Sequence, residues 1–96
     1  MQKLTVDQIK HKAIPVLQAA GIKRSSLFGS YVRGEQRDDS DIDILVEYPD
    51  KTTLFDVVEL KHNLEDVLEK SVDLVAYNGI KPRLKQYILS EQLPIL

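Results

Sequence analysis

Apolar positions along this chain change period several times, and the order of those changes predicts helix, strand, short helix, strand, helix, strand, helix. Thr5 and Gln8 have capping-box spacing, and Ile9, Ala13, Val16, Leu17 and Ala20 then recur on one helical face before Gly21. This predicts a helix over Val6–Ala20, kinked or weakened where Pro15 removes a backbone bond to residue 11. Ile22–Phe28 has apolar ends around a polar Lys23-Arg24-Ser25-Ser26 centre and reads as a short strand. Gly29-Ser30 is a turn, Tyr31–Gln36 a short helix interrupted by Gly34, and Arg37–Ser40 a polar loop. Asp41–Tyr48 is a β-branched and apolar run that Pro49-Asp50 ends, a second strand.

Thr53 and Asp56 form another capping pair. Leu54, Val57, Leu60, Leu64, Val67 and Leu68 then mark one face of a helix of about four turns, with His62, Glu65, Asp66, Glu69 and Lys70 mostly on its solvated side. Val72–Ala76 is a third strand, broken by Asn78-Gly79. Pro82 is tolerated in a first helical turn, so Lys81–Ser90 reads as a final helix with Leu84, Ile88 and Tyr87 facing inward. With no internal repeat or linker, residues 1–96 form one α/β or α+β domain, its helices packed on one small sheet. The pattern leaves the strand order open.

Composition narrows the class. At 43% hydrophobic and 29% charged residues the chain is an ordinary globular domain, and 96 residues leave no room for a second lobe to hold a bulky substrate. A net charge of −2 argues against sequence-independent nucleic-acid binding, which needs an excess of cations to displace counterions. Cysteine is absent, which excludes disulfides, thiolate metal sites and a cysteine nucleophile. No apolar run reaches the roughly 18 residues of a membrane span, and the amino terminus lacks the apolar core of a signal peptide, so the expected location is cytoplasmic.

The chemistry is concentrated between Leu27 and Val46. Residues two apart on a strand share a face, roughly 6.5–7 Å apart, so Asp41 and Asp43 converge on one side while Ile42 and Ile44 turn to the core. Two such carboxylates repel one another, an arrangement most easily rationalised by a bound cation, and oxygen-only ligands favour Mg²⁺ or Mn²⁺. Upstream, Gly29 permits close backbone approach and Ser30 opens a helix, whose unpaired amides suit a phosphate. Arg33, one turn on, can either reach that phosphate or pair with Glu35, Asp38 or Asp39 on the surface. Asp73 is an acid within an apolar strand. If that strand lies beside Asp41–Tyr48, Asp73 completes a triad able to serve nucleotidyl transfer, which uses metal ions on the attacking and leaving oxygens and an acid near the acceptor hydroxyl. Tyr31, Tyr48, Tyr77 and Tyr87 follow no motif spacing and read as packing residues.

Gly29-Ser30, ten residues, then Asp41-Ile42-Asp43 resembles the GS-x10-DxD signature of the DNA polymerase beta-like nucleotidyltransferases. With Arg33-Gly34 and Ser40 beside these motifs, the chain is similar to their minimal nucleotidyltransferase (MNT) branch over nearly its whole length. The resemblance implies a single-domain polymerase-beta-like fold with a small mixed sheet flanked by helices. It implies that Asp41, Asp43 and Asp73 bind two Mg²⁺ or Mn²⁺ ions and that the Gly29-Ser30 turn holds the triphosphate of ATP. It further implies an antitoxin that moves AMP from ATP to a tyrosine hydroxyl of a HEPN-type ribonuclease toxin. Two other readings stand beside it: a non-catalytic, nucleotide-binding antitoxin that neutralises its partner by contact, and transfer to a small molecule or RNA. The last is disfavoured, because related enzymes of that kind usually add a domain for the acceptor.

Overall fold

The computed structural model describes residues 4–34 and 41–96. Its first helix, α1 (Val6–Ala19), starts at the expected reciprocal cap: the Gln8 amide donates to Thr5 Oγ1 at 3.1 Å and the Thr5 amide to Gln8 Oε1 at 2.9 Å. It ends in a Schellman closure around Gly21 at φ +79°, with the Gly21 amide donating to the Gln18 carbonyl and the Ile22 amide to the Leu17 carbonyl, both at 3.0 Å. Ile22 is thereby used to close the helix and cannot open a strand. The first strand, β1 (Ser25–Phe28), accordingly starts three residues later than its apolar pattern predicts. Pro15 does not interrupt α1; it stands on the exposed side, where water can satisfy the carbonyl that its missing N–H leaves.

A four-residue helix, α2 (Ser30–Arg33), follows and stops at Gly34, φ +73°. The expected Arg37–Ser40 loop lies outside the described residues. Then come β2 (Ile42–Val46), α3 (Leu54–Leu68), β3 (Val72–Ala76), a 3₁₀ turn over Tyr77–Gly79, α4 (Pro82–Glu91) and a two-residue β4 (Leu93–Pro94). Thr53 and Asp56 cap α3 with amide-to-side-chain bonds of 3.0 and 3.2 Å.

The four strands lie in the order β3-β2-β1-β4, with β2 and β3 parallel and β1 antiparallel to both neighbours, a mixed sheet. Helices α1 and α3 cover one face. Ile9, Ala13 and Leu17 from the first, and Leu60, Leu64 and Leu68 from the second, join Leu27, Ile42, Ile44, Val46 and Val72 in a continuous core. Beneath them the buried Ser25 hydroxyl donates to the Leu45 carbonyl at 2.7 Å.

Two expectations need correction. Leu54 belongs to the apolar stripe of α3 by sequence but is 78% exposed, because the helix begins beyond the sheet's edge and only its later turns reach the core. Leu84 and Tyr87 do not face inward: no residue of α4 is buried, and these two are 43% and 56% exposed. Helical periodicity reports that one side is apolar; it carries no information on whether anything lies opposite.

Candidate active site

Strand alternation divides β2 between two environments. Ile42, Ile44 and Val46 are fully buried under the helices, while Asp43 projects from the other face and is half-buried. Asp43 sits opposite Phe28 of β1 and opposite Asp73 of β3. Directly opposed residues share a face, so the parallel register brings the two carboxylates side by side. Asp41 lies just before β2, exposed, and its charge is felt at Asp43.

The phosphate-turn candidate meets these acids directly. Gly29, at φ +80°, leaves no space for a side chain: a Cβ built there would overlap Asp43 Oδ2 and stand 3.1 Å from Asp43 Cγ. Glycine is required twice over, by backbone conformation and by the carboxylate against it. Its carbonyl accepts the amides of Val32 at 3.1 Å and Arg33 at 3.2 Å, turning the chain sharply from β1 into α2. The result places the first backbone turn of α2, beginning at Ser30, beside Asp43.

The electrostatics follow from this crowding. Desolvation, then the charges of Asp73 and Asp41, push the Asp43 carboxyl up to about 6, against a smaller opposing pull from Arg33. An isolated acidic cluster of this kind is destabilised by its own repulsion, which a cation would relieve. Among the described residues no three His, Cys, Asp or Glu side chains form a closed metal cage. Asp43 and Asp73 side by side, with the charge of Asp41 acting on Asp43, present only carboxylate oxygens, the donor type that Mg²⁺ takes.

Arg33 illustrates what sequence could not supply. Its Nη1 lies 3.3 Å from Glu91 Oε2 on α4, a partner 58 residues away. The same guanidinium also lowers Asp43's affinity for a proton, so Glu91, the last residue of α4, pairs with a charge that acts on the aspartates. A second tie runs through Tyr77, whose hydroxyl lies 2.8 Å from Ser26 Oγ and 3.4 Å from Gln92 Oε1 while Arg24 stacks over its ring at 4.2 Å. Tyr77 is thus a polar clamp on the open face rather than simple packing. The groove of about 670 Å³ between α1 and α3 is lined only by residues of those helices, remote from the carboxylates.

Comparison with known proteins identifies the family. Residues 11–96 match the Polymerase beta, Nucleotidyltransferase family. A Methanocaldococcus jannaschii protein to which protein adenylyltransferase activity is ascribed is 50% identical over 93 residues, covering 97% of this chain and all of that protein. The protein adenylyltransferase MntA of Thermococcus cleftensis is 36% identical over 96 residues, covering 95% of this chain and 96% of MntA. Among solved structures, a minimal nucleotidyltransferase superposes with a TM-score of 0.83 at 34% identity, covering 98% of this chain and 99% of the other. A toxin–antitoxin complex with AMP-PNP gives 0.78 at 30% identity, covering 91% of this chain and 72% of the other. The complex of a tri-AMPylated Shewanella oneidensis HEPN toxin with its MNT antitoxin gives 0.71 at 26% identity, covering 94% and 71%. With the mixed sheet, the glycine turn against Asp43 and the paired aspartates in view, the chain belongs to the polymerase beta nucleotidyltransferase family, in its minimal nucleotidyltransferase branch.

Proposed function

We propose that the chain is the antitoxin of a toxin–antitoxin pair and moves AMP from ATP to a tyrosine hydroxyl of a HEPN-type toxin, using Mg²⁺ or Mn²⁺. The observation that carries this is the contact of Gly29 with Asp43, itself in register with Asp73. It puts a phosphate-binding turn and two acids within one small area, as transfer from a triphosphate requires.

Asp41, Asp43 and Asp73 would hold two metal ions. Bound there with ATP, the metals supply charge neutralisation at the attacking and leaving oxygens of an in-line displacement. The turn from Gly29 into α2 orients the triphosphate through backbone amides that have no intrahelical partner. Arg33, paired with Glu91 and acting on the same carboxylates, adds a positive charge for the departing phosphates. An oxygen–phosphorus bond forms between the acceptor hydroxyl and the α-phosphate, the bond from that phosphorus to the bridging oxygen breaks, and pyrophosphate leaves. The hydroxyl proton passes to a carboxylate; Asp73, on the edge strand and exposed, is open to an incoming acceptor.

The test is transfer from ATP labelled on its α-phosphate to a HEPN-type toxin, with Mg²⁺ or Mn²⁺. Label should appear on a toxin tyrosine with the wild-type chain and be lost with Asp41→Ala/Asp43→Ala. Absence of transfer by the wild type, with the doubly substituted chain still neutralising the toxin in a tight complex, would sink the enzyme reading in favour of neutralisation by contact.

A further inference from the structure

The geometry points to α4 as the platform on which the acceptor protein docks, its exposed Leu84 and Tyr87 entering an apolar patch that acidic residues surround. This rests on the transferase reading, since the acceptor is defined by the reaction.

Position supplies the first argument. The reacting hydroxyl has to approach Asp43 and Asp73 from the face that α1 and α3 do not cover. Helix α4 borders that approach, fixed there by the 3.3 Å pair between Arg33 and Glu91 and by the bridge from Ser26 through Tyr77 to Gln92. A protein large enough to present a tyrosine to the two acids would extend over this helix.

The surface of α4 supplies the second. Leu84, Tyr87 and Ile88 fall on one helical face at i, i+3 and i+4, yet no residue of the helix is buried. Leu84 and Tyr87 remain 43% and 56% exposed, and Leu93 just beyond is 36% exposed. Aromatic and leucine side chains left in water on one helical face are the usual composition of an interface centre.

Charge supplies the third. Residues 81–90 contain Lys81, Arg83 and Lys85 and no carboxylate, although the chain as a whole carries −2. Arg83 and Lys85 flank the apolar stripe on either side, so the matching surface is apolar within and acidic at its rim. Nucleic acid would also answer the charge, but it gives no reason for the exposed Leu84.

The experiment measures transfer to a HEPN-type toxin as a function of toxin and of ATP concentration, for Leu84→Asp/Tyr87→Ala and for Arg83→Glu/Lys85→Glu. Expected are a KM for toxin raised tenfold or more, a KM for ATP and a kcat within about threefold of wild type, and an unchanged thermal midpoint. The charge-reversed variant should also flatten the dependence of toxin association on ionic strength. Phe55→Ser, on the exposed start of α3, a different helix, serves as the control and should alter none of these. A KM for toxin unchanged in both α4 variants, or loss of RNA binding with toxin affinity intact, would overturn the platform. Direct binding of toxin to the same variants without ATP tests the platform separately. If wild type binds but never transfers, the enzyme reading fails; if the α4 variants bind as wild type does, the platform fails.

Discussion

The two faces of β2 obey different physics within five residues. On one, Ile42, Ile44 and Val46 are fully buried beneath α1 and α3, beside the Ser25 hydroxyl, which is bonded to the Leu45 carbonyl, and the Tyr31 hydroxyl, which is buried without a partner among the described residues. On the other, Asp43 is pressed against Gly29 and faces Asp73, with a carboxyl that resists ionisation. The first face lowers the free energy of the fold; on the second Leu45 is fully buried as well, and it is Asp43 that raises it. A strand has to satisfy both because its side chains alternate, so stability gained under the helices tolerates repulsion held on the open side.

Substitutions on each face should separate these roles. The largest effect is expected for Asp43→Asn on transfer, a loss on the order of 10²–10³ in kcat/KM, since a charge aimed at the transition state disappears. Single-turnover labelling of the toxin would measure it. Next, Leu64→Ala on the covered face should lose about 3 kcal/mol in urea unfolding while the site's chemistry persists in the molecules still folded. Gly29→Ala ought to fail on both counts. A side chain in left-handed backbone costs about 1–2 kcal/mol before its overlap with Asp43 is counted, and transfer should fall with it.

A subtler contrast concerns pH. The folded protein raises the Asp43 pKa from 3.8 to about 6, so it binds a proton more tightly than the unfolded chain does. Stability of the metal-free protein from this group is therefore highest below pH 3.8 and declines as pH rises to about 6. Asp43→Asn should stabilise the metal-free chain at pH 8 by about 1–2 kcal/mol, the value expected once solvent screening of a half-exposed group is allowed for, and should give no gain at pH 3.5. Thermal melts at the two pH values would decide it. The smallest effect belongs to Tyr77→Phe, which removes a hydroxyl from Ser26 and Gln92 and should cost about 1 kcal/mol with little change in the covered core.

What could be read from sequence divides along the same line. The caps at Thr5 and Thr53 and the stop at Gly21 act over three or four residues, so their residue types alone announce them. Asp43 and Gly29 carried their own signal in the spacing of the two motifs. The ordering β3-β2-β1-β4 did not, because strand neighbours are chosen by contacts between distant segments. For the same reason β4 went unseen: two residues, one of them Pro94, make no pattern until they pair with Ser26 and Leu27. Arg33 offered several acidic neighbours in sequence, all outside the described residues, and a partner that sequence did not suggest is Glu91. The outward side of α4 was misread because an amphipathic helix looks identical whether its apolar stripe meets a core or awaits another molecule.

The parallel pairing of Asp43 with Asp73 bears on when the molecule becomes competent. Glycine turn and first acids can meet once the antiparallel β1–β2 pair forms. The opposing acid arrives only after α3 has crossed over and β3 has docked, a closure across 30 residues. Long-range parallel closure is among the slower events of folding. A chain caught partway along that route carries half of the carboxylate pair.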